Sequence, residues 1–223
     1  PMKRTYLVLV CLLLLSGGAV SAPALSIPGI DLFGGLVFVG NGHAEGAPSP
    51  LLGYWGVGMP VQIDENMYFG PELSMFSTQY QLTGDRSKAV PTEVEFADSL
   101  WMISLLLDAS FRYLFKASDT LFLGPSAHLG FVFRIPIVGY GLAGPGSSDP
   151  AYRSSIVSYY YSQLRFFLPG VGFRLYWTAL EKLGFLFRLT GYFPLFHLWD
   201  GEGAPFYDQM IVSGTVGVRF QFE

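Results

Sequence analysis

The sequence predicts an all-β protein, an eight-stranded antiparallel up-and-down transmembrane β-barrel, and three observations lead there. The first is composition. Of 223 residues, 51% are hydrophobic and 13% charged, where a soluble domain carries roughly 25% charged residues. Mean hydropathy is +0.39. A disordered chain needs low hydrophobicity and high charge and is excluded. An ordinary cytosolic enzyme could not build its surface from so few charges. The second observation is that no stretch after residue 24 approaches the roughly 18 apolar residues of a spanning helix; the longest, 100–107, is stopped by Asp108. The third is a period of two that recurs along the chain in eight segments.

A separate element precedes these segments. Lys3 and Arg4 stand before the apolar run 6–15, and small residues follow from Ser16 to Ala24. That order of parts predicts a secretory signal peptide over residues 1–24, too short to span a bilayer. Cleavage after Ala22 would leave Pro23 beside the cut, so the cut is expected after Ala24, with the barrel over 25–223. Cys11 then leaves with the signal, and the mature chain carries no disulfide or thiol chemistry. Losing Lys3 and Arg4 from 13 basic residues leaves 11 against 17 acidic ones, which offers no cationic surface for nucleic acid.

Each predicted strand sets an apolar face against a small or polar one, because successive strand side chains point to opposite sides. In the first, Ile30, Leu32, Leu36 and Phe38 alternate with Asp31, Phe33, Gly35 and Val37. The second sets Leu51, Trp55, Val57, Met59, Val61 and Ile63 against Tyr54, Gly56, Gly58 and Gln62. In the third, Met67, Phe69, Leu73 and Met75 oppose Tyr68, Gly70, Glu72 and Ser74. The fourth runs from Trp101 to Phe115, with Met102, Ser104, Asp108, Ser110 and Arg112 on the other parity. The fifth, Leu121 to Ile137, is apolar at every second position, alternating with Ser126, His128 and Arg134 among others. In the sixth, Phe167, Val171, Phe173, Leu175 and Trp177 oppose Gly170, Gly172, Arg174 and Tyr176. The seventh sets Leu183, Phe185, Phe187, Leu189 and Phe193 against Gly184, Arg188, Thr190 and Tyr192. In the eighth, Met210, Val212, Val216, Val218, Phe220 and Phe222 oppose Ser213, Thr215, Gly217, Arg219 and Gln221.

The connections alternate as well. Junctions at 64–66, 116–120 and 178–182 are short, whereas 41–50, 82–97, 139–155 and 196–205 are long and rich in Gly, Pro, Ser and Asp. Three short periplasmic turns and four long extracellular loops describe an outer-membrane barrel. Charge placement favours lipid over water around it. The mature lysines, Lys88, Lys116 and Lys182, fall in connections and none falls on a predicted strand. A solvated sheet face would use Lys and Glu, whereas Gly, Ser, Tyr and Arg suit a crowded barrel interior. Aromatic residues sort toward both ends of the strands, Tyr113, Trp177, Phe185 and Phe220 near the short turns and Trp55, Trp101, Phe133 and Phe193 near the long loops. Pro60, Pro71, Pro125, Pro136, Pro169 and Pro194 run against the pattern, since a closed barrel has no edge strand to hold them. Each is expected at a bulge or at the loss of a ladder hydrogen bond.

The C-terminal run Val216-x-Val218-x-Phe220-x-Phe222 resembles the alternating, aromatic-ended assembly signal of outer-membrane barrels, with Glu223 added beyond the aromatic. With the signal peptide and the eight-strand pattern, the mature chain resembles the small OmpW/OmpX/OmpA-type barrels over nearly its whole length. That resemblance implies a bacterial outer-membrane location, contact with outer-membrane lipid and insertion by the barrel-assembly machinery. It leaves function to the residues.

Those of the inward parity are the candidates. Arg112, Arg174, Arg188 and Arg219 stand at similar distances from the short turns and are expected to ring the lumen at one height, with Glu72 and Asp108 one layer above. His128 completes the set. Such charges suit a salt-bridge plug or a constriction selecting small solutes. Inward Leu100, Leu106, Leu168, Leu186 and Ile211 make the lumen partly apolar, which suits the passage of small hydrophobic molecules implied for OmpW-like barrels. A narrow channel for such solutes is therefore the leading expectation. Eight strands exclude a wide pore. A non-conducting structural or adhesive barrel, whose long loops contact host ligands or antibodies, is the alternative. A lipid-modifying enzyme comes third: Ser126, His128 and the nearby acids form a serine–histidine–acid set by type only, and His43, His197 and Asp200 at the rim lack a placeable serine. No metal spacing or phosphate loop occurs, so no cofactor is expected.

Overall fold

The computed structural model describes residues 26–40, 51–81, 99–138, 150–201 and 205–222. Segment 1–24, expected to be a signal peptide, and most of the long loops, His43 among them, lie outside the described residues.

The strands form where the alternation predicts them: β1 (Gly29–Val39), β2 (Leu51–Gly58), β3 (Val61–Gln62), β4 (Met67–Gln81), β5 (Ser99–Tyr113), β6 (Phe115–Lys116), β7 (Leu121–Val138), β8 (Phe167–Leu180), β9 (Leu183–Tyr192) and β10 (Ile211–Gln221). Short β3 and β6 continue β2 and β5 after a break, so the wall has eight staves. Every neighbour pair is antiparallel, and the circle closes where β10 pairs β1 and β2 pairs β4. The protein is a closed eight-stranded barrel, a geometry that removes sheet edges altogether.

Burial follows the alternation. Leu32, Leu73, Leu107, Leu129, Val171 and Phe187 face outward and are 40–60% exposed, a band of large apolar side chains around the wall. The opposite parity is buried in the lumen. Rings gather at the band's borders, with Tyr113 4.9 Å from Phe115 and Trp177 5.7 Å from Phe185 on the short-turn side. On the long-loop side Phe131 lies 5.3 Å from Phe167, and Phe193 stacks on Phe206 at 6.5 Å. A wall that is apolar outside and polar inside is the inverse of a soluble barrel, and the aromatic borders mark where a bilayer's interfaces would lie.

Several expectations need correction. The second predicted strand is broken at Met59–Pro60: Met59 donates to the Pro71 carbonyl at 3.0 Å, and pairing resumes at Val61. Pro194 falls just beyond β9 rather than inside it. Pro71, Pro125, Pro136 and Pro169 sit within strands at the loss of a ladder donor, one of the two outcomes expected for them, and the breaks after β2 and β5 lie opposite Pro71 and Pro125. The bulge that does occur lies between Thr178 and Leu180. Lys116, expected in a turn, ends β6, at the outer margin of the sheet. Its ammonium hydrogen-bonds Asp119 at 2.8 Å and holds that carboxyl below its usual range. Both groups are in solvent, where such pairs contribute little.

The 139–155 connection also differs from a plain loop. Helix α1 (Pro150–Tyr161) occupies its second half. A turn with Gln163 and Leu164 in left-handed backbone conformation (φ 51° and 62°) carries the chain from α1 into β8. No amphipathic periodicity announces this helix; packing over the barrel's mouth decides it.

Candidate functional site

Six strands send charged side chains to one level of the lumen. Glu72 on β4 is the hub: Arg174 Nη2 donates to its Oε1 at 2.6 Å, Arg188 Nη1 donates to its Oε2 at 2.7 Å, and Arg112 Nη2 also reaches Oε1. Asp31 on β1 is a second hub. Arg219 grips it with both fork nitrogens, Nε at 2.6 Å and Nη2 at 3.0 Å, while Arg174 Nη1 donates at 3.4 Å. Arg112 Nη1 stands 3.8 Å from the same carboxylate. Two of the guanidiniums also lie over rings, Arg188 3.8 Å above Phe33 and Arg219 4.3 Å above Tyr176. All six charged groups are at most 3% exposed. In such surroundings carboxylates and arginines hold each other by bidentate, charge-assisted bonds, and removing one partner strands the others.

This refines the expected ring. The four arginines share a level as anticipated, but Glu72 lies among them rather than one layer above. Glu72 keeps its register with Asp108, four residues from Arg112 along β5, and the long arginine side chains reach its carboxylate. Asp31 enters as an equal partner. Its inward parity was visible in the sequence; its meeting with Arg219 required closure, because the two residues are register partners across the β1–β10 seam.

Asp108 and His128 stand apart from the arginine contacts. His128 Nδ1 lies 2.6 Å from Asp108 Oδ2, and Nε2 lies 2.8 Å from Ser126 Oγ. With the proton on Nδ1, the ring donates to Asp108 and accepts from the serine. The order acid–histidine–serine is that of a nucleophile relay. Here it is sealed: Ser126, His128 and Asp108 are 6%, 2% and 2% exposed, and the Tyr192 ring packs edge-on against the imidazole at 5.6 Å. Gly172 on β8 makes room for it. A Cβ there would come within 2.8 Å of Ser126 Oγ and of the Leu189 carbonyl, and within 3.1 Å of His128 Nε2. Gly172→Ala is therefore expected to lower stability by about 1–3 kcal/mol through overpacking. Gly53→Ala, where a Cβ would meet nothing within 4 Å, is expected to be neutral. Thermal loss of the fast-migrating unboiled gel band measures both.

The lumen is also filled by apolar side chains, with Leu186 on the short-turn side of Arg188 and the others toward the long loops among buried Ser104, Thr190 and Ser213. Leu106, Leu168, Leu186 and Ile211 belong to one buried cluster with Val132 and Phe196. The leucines expected to lubricate a passage are thus packed against each other; the side chain of Leu100 is outside those described. At the long-loop end α1 and the last loop pack together as a cap. Arg134 lies 4.7 Å from the Tyr160 ring of α1, and Arg165 lies 4.2 Å from Tyr159. Arg165 also donates to Ser162 Oγ at 2.6 Å and to Gln163 Oε1 at 3.0 Å. From the last loop, Trp199 Nε1 donates to the Gln163 carbonyl at 3.0 Å, and His197 bridges Asp200 (2.8 Å) and the Asp208 carbonyl (3.0 Å). His197 and Asp200, considered at sequence level as rim catalysts, hold the cap together instead. Val216, Val218, Phe220 and Phe222 lie along the outer face of β10 and just beyond it, with Val216 64% and Phe222 53% exposed.

No family model and no curated protein matches the chain in sequence. Among solved structures it is similar to Neisserial surface protein A, with 10% identity, a TM-score of 0.51, and coverage of 89% of this chain and 99% of that one. It also aligns with Ail, the attachment invasion locus protein of Yersinia pestis, crystallised with the heparin analogue sucrose octasulfate: 5% identity, TM-score 0.46, 88% and 100% coverage. The first likeness shows the fold of a small outer-membrane-type barrel and no more.

Proposed function

We propose that this protein is a bacterial outer-membrane barrel that is closed to solutes and presents a compact, aromatic-rich cap on its long-loop side. The observation that carries this reading is the unbroken stack of buried side chains along the lumen. It runs from the Glu72–Asp31 arginine knot through Leu106, Leu168 and Ile211 to Phe196 and Arg165 under the cap, each at most 3% exposed. Lipid would be the partner of the outer band, and the alternating end Val216, Val218, Phe220 and Phe222 would present its outward parity to the barrel-assembly machinery. The long loops would meet whatever lies outside the cell. An enzymatic role is not favoured, because Ser126 has no approach for a substrate.

A second reading keeps the narrow channel for small, hydrophobic solutes. The convergence of Arg112, Arg174, Arg188 and Arg219 at one level favours it, since such a ring would select solutes once the bonds to Glu72 opened. Planar-bilayer recording separates the two. Folded protein, verified by its shift on boiling, is expected to add no conductance steps. Small discrete steps that change in Arg174→Ala or Arg188→Ala would overturn the closed reading in favour of the channel.

A further inference from the structure

Four guanidiniums meet in the lumen knot, yet the carboxylates they contact are two, Glu72 and Asp31. Asp108, the remaining acid near this depth among the described residues, commits its Oδ2 to His128 and leaves its Oδ1 without a hydrogen-bond partner there. Even with Asp108 ionised and His128 neutral, the buried layer keeps one positive charge in excess. A charge held away from water without a counter-charge costs several kcal/mol.

Arg112 Nη1 and Arg174 Nε each lack a hydrogen-bond partner among the described residues, but hydrogen bonding is least complete at Arg188. Arg188 is 1% exposed, and its Nε and Nη2 carry no hydrogen-bond partner among the described residues. These two nitrogens form one edge of the guanidinium plane, the fork that arginine offers to anions. The other edge is engaged, since Nη1 donates to Glu72 and the flat of the group rests on Phe33. Directly across from Arg188 on β10 is Thr215, 2% exposed, whose hydroxyl is likewise without a partner. Cross-strand partners share a face and stand about 5 Å apart at Cβ, so hydroxyl and fork can reach one small group.

We propose that the Arg188 fork and the Thr215 hydroxyl form a buried site for a small monovalent inorganic anion of chloride size. The anion accepts from Nε, Nη2 and the hydroxyl, and it neutralises the surplus charge of the knot. The two fork N–H groups and the hydroxyl supply three donors, a set that a single-atom halide can fill. The anion is thus part of the folded barrel rather than a passing solute.

The test uses the whole protein refolded in detergent at equal ionic strength in sodium chloride, sodium bromide or sodium gluconate. The wild-type unfolding midpoint is expected to be about 5 °C higher in chloride or bromide than in gluconate. Thr215→Val keeps the shape and every bond of the knot, and it is expected to lose most of that difference. Crystals grown from bromide-refolded protein are expected to show an anomalous peak in the Arg188 fork. Equal wild-type midpoints in chloride and gluconate would overturn the proposal, as would an unchanged chloride effect in Thr215→Val. A fork holding water with no bromide peak would also overturn it. None of these readouts depends on whether the barrel conducts.

Discussion

Glu72→Gln is expected to be the most destabilising conservative change in the barrel. The substitution keeps the volume but removes the charge on which Arg112, Arg174 and Arg188 converge. Arg112 and Arg174 would then share Asp31 with Arg219 while Arg188 kept no carboxylate contact, and removal of one partner of a buried ion pair costs about 3–5 kcal/mol. In a chain of this size that lowers the thermal midpoint by roughly 10 °C. Heating series read by gel mobility, with near-UV circular dichroism on the same samples, would measure it. The loss is expected to be partly restored in the double variant Glu72→Gln, Arg188→Met, which removes one stranded charge and retains contact with Phe33. If the single variant matches wild type, the knot carries little of the stability. If the double variant is worse than the single, deleting a charge has not relieved the excess.

A second large effect is expected on the outer face. Leu129 lies mid-way along β7, 42% exposed, across from Pro169 on β8. Were this face in water, Leu129→Arg would be harmless or would improve solubility. In lipid, an arginine at the bilayer midplane costs about 2–4 kcal/mol. The variant is therefore expected to fold poorly into phosphatidylcholine vesicles. Glu65→Arg in the exposed first turn serves as the control and is expected to fold normally. Equal folding yields for Leu129→Arg and wild type would contradict the lipid-facing assignment of the band.

Much of the fold is legible in the sequence because a barrel wall is a repetitive object. Each stave needs the same thing, alternate apolar residues against lipid and small or polar ones within, so the period of two marks all eight staves and the inward parity of every lumen charge. What escapes that reading is local and three-dimensional. The break at Met59–Pro60 lies opposite Pro71, which accepts from Met59 but has no N–H to return the bond, a pairing that only the register reveals. Helix α1 has no amphipathic signature, since its residues are ordered by Arg134, Arg165 and the neighbouring loop.

The lumen divides in the same way. That Arg112, Arg174, Arg188 and Arg219 point inward, and that their charges need partners, follows from sequence alternation and the expense of burying charge. Which acid each one meets does not. Asp31 and Arg219 lie at opposite ends of the chain and become register partners when β10 zips onto β1. Glu72 becomes the hub because closure brings Arg174 and Arg188, from β8 and β9, to its carboxylate across the lumen. His128 turns toward Asp108 and Ser126, leaving the arginines to Glu72 and Asp31. Sequence by itself determined the wall, its two faces and the identity of the buried charges, because these depend on periodicity alone. Tertiary structure decided the pairing, the packed lumen and the surplus charge at Arg188, because those depend on strand register and shear, which no single strand encodes.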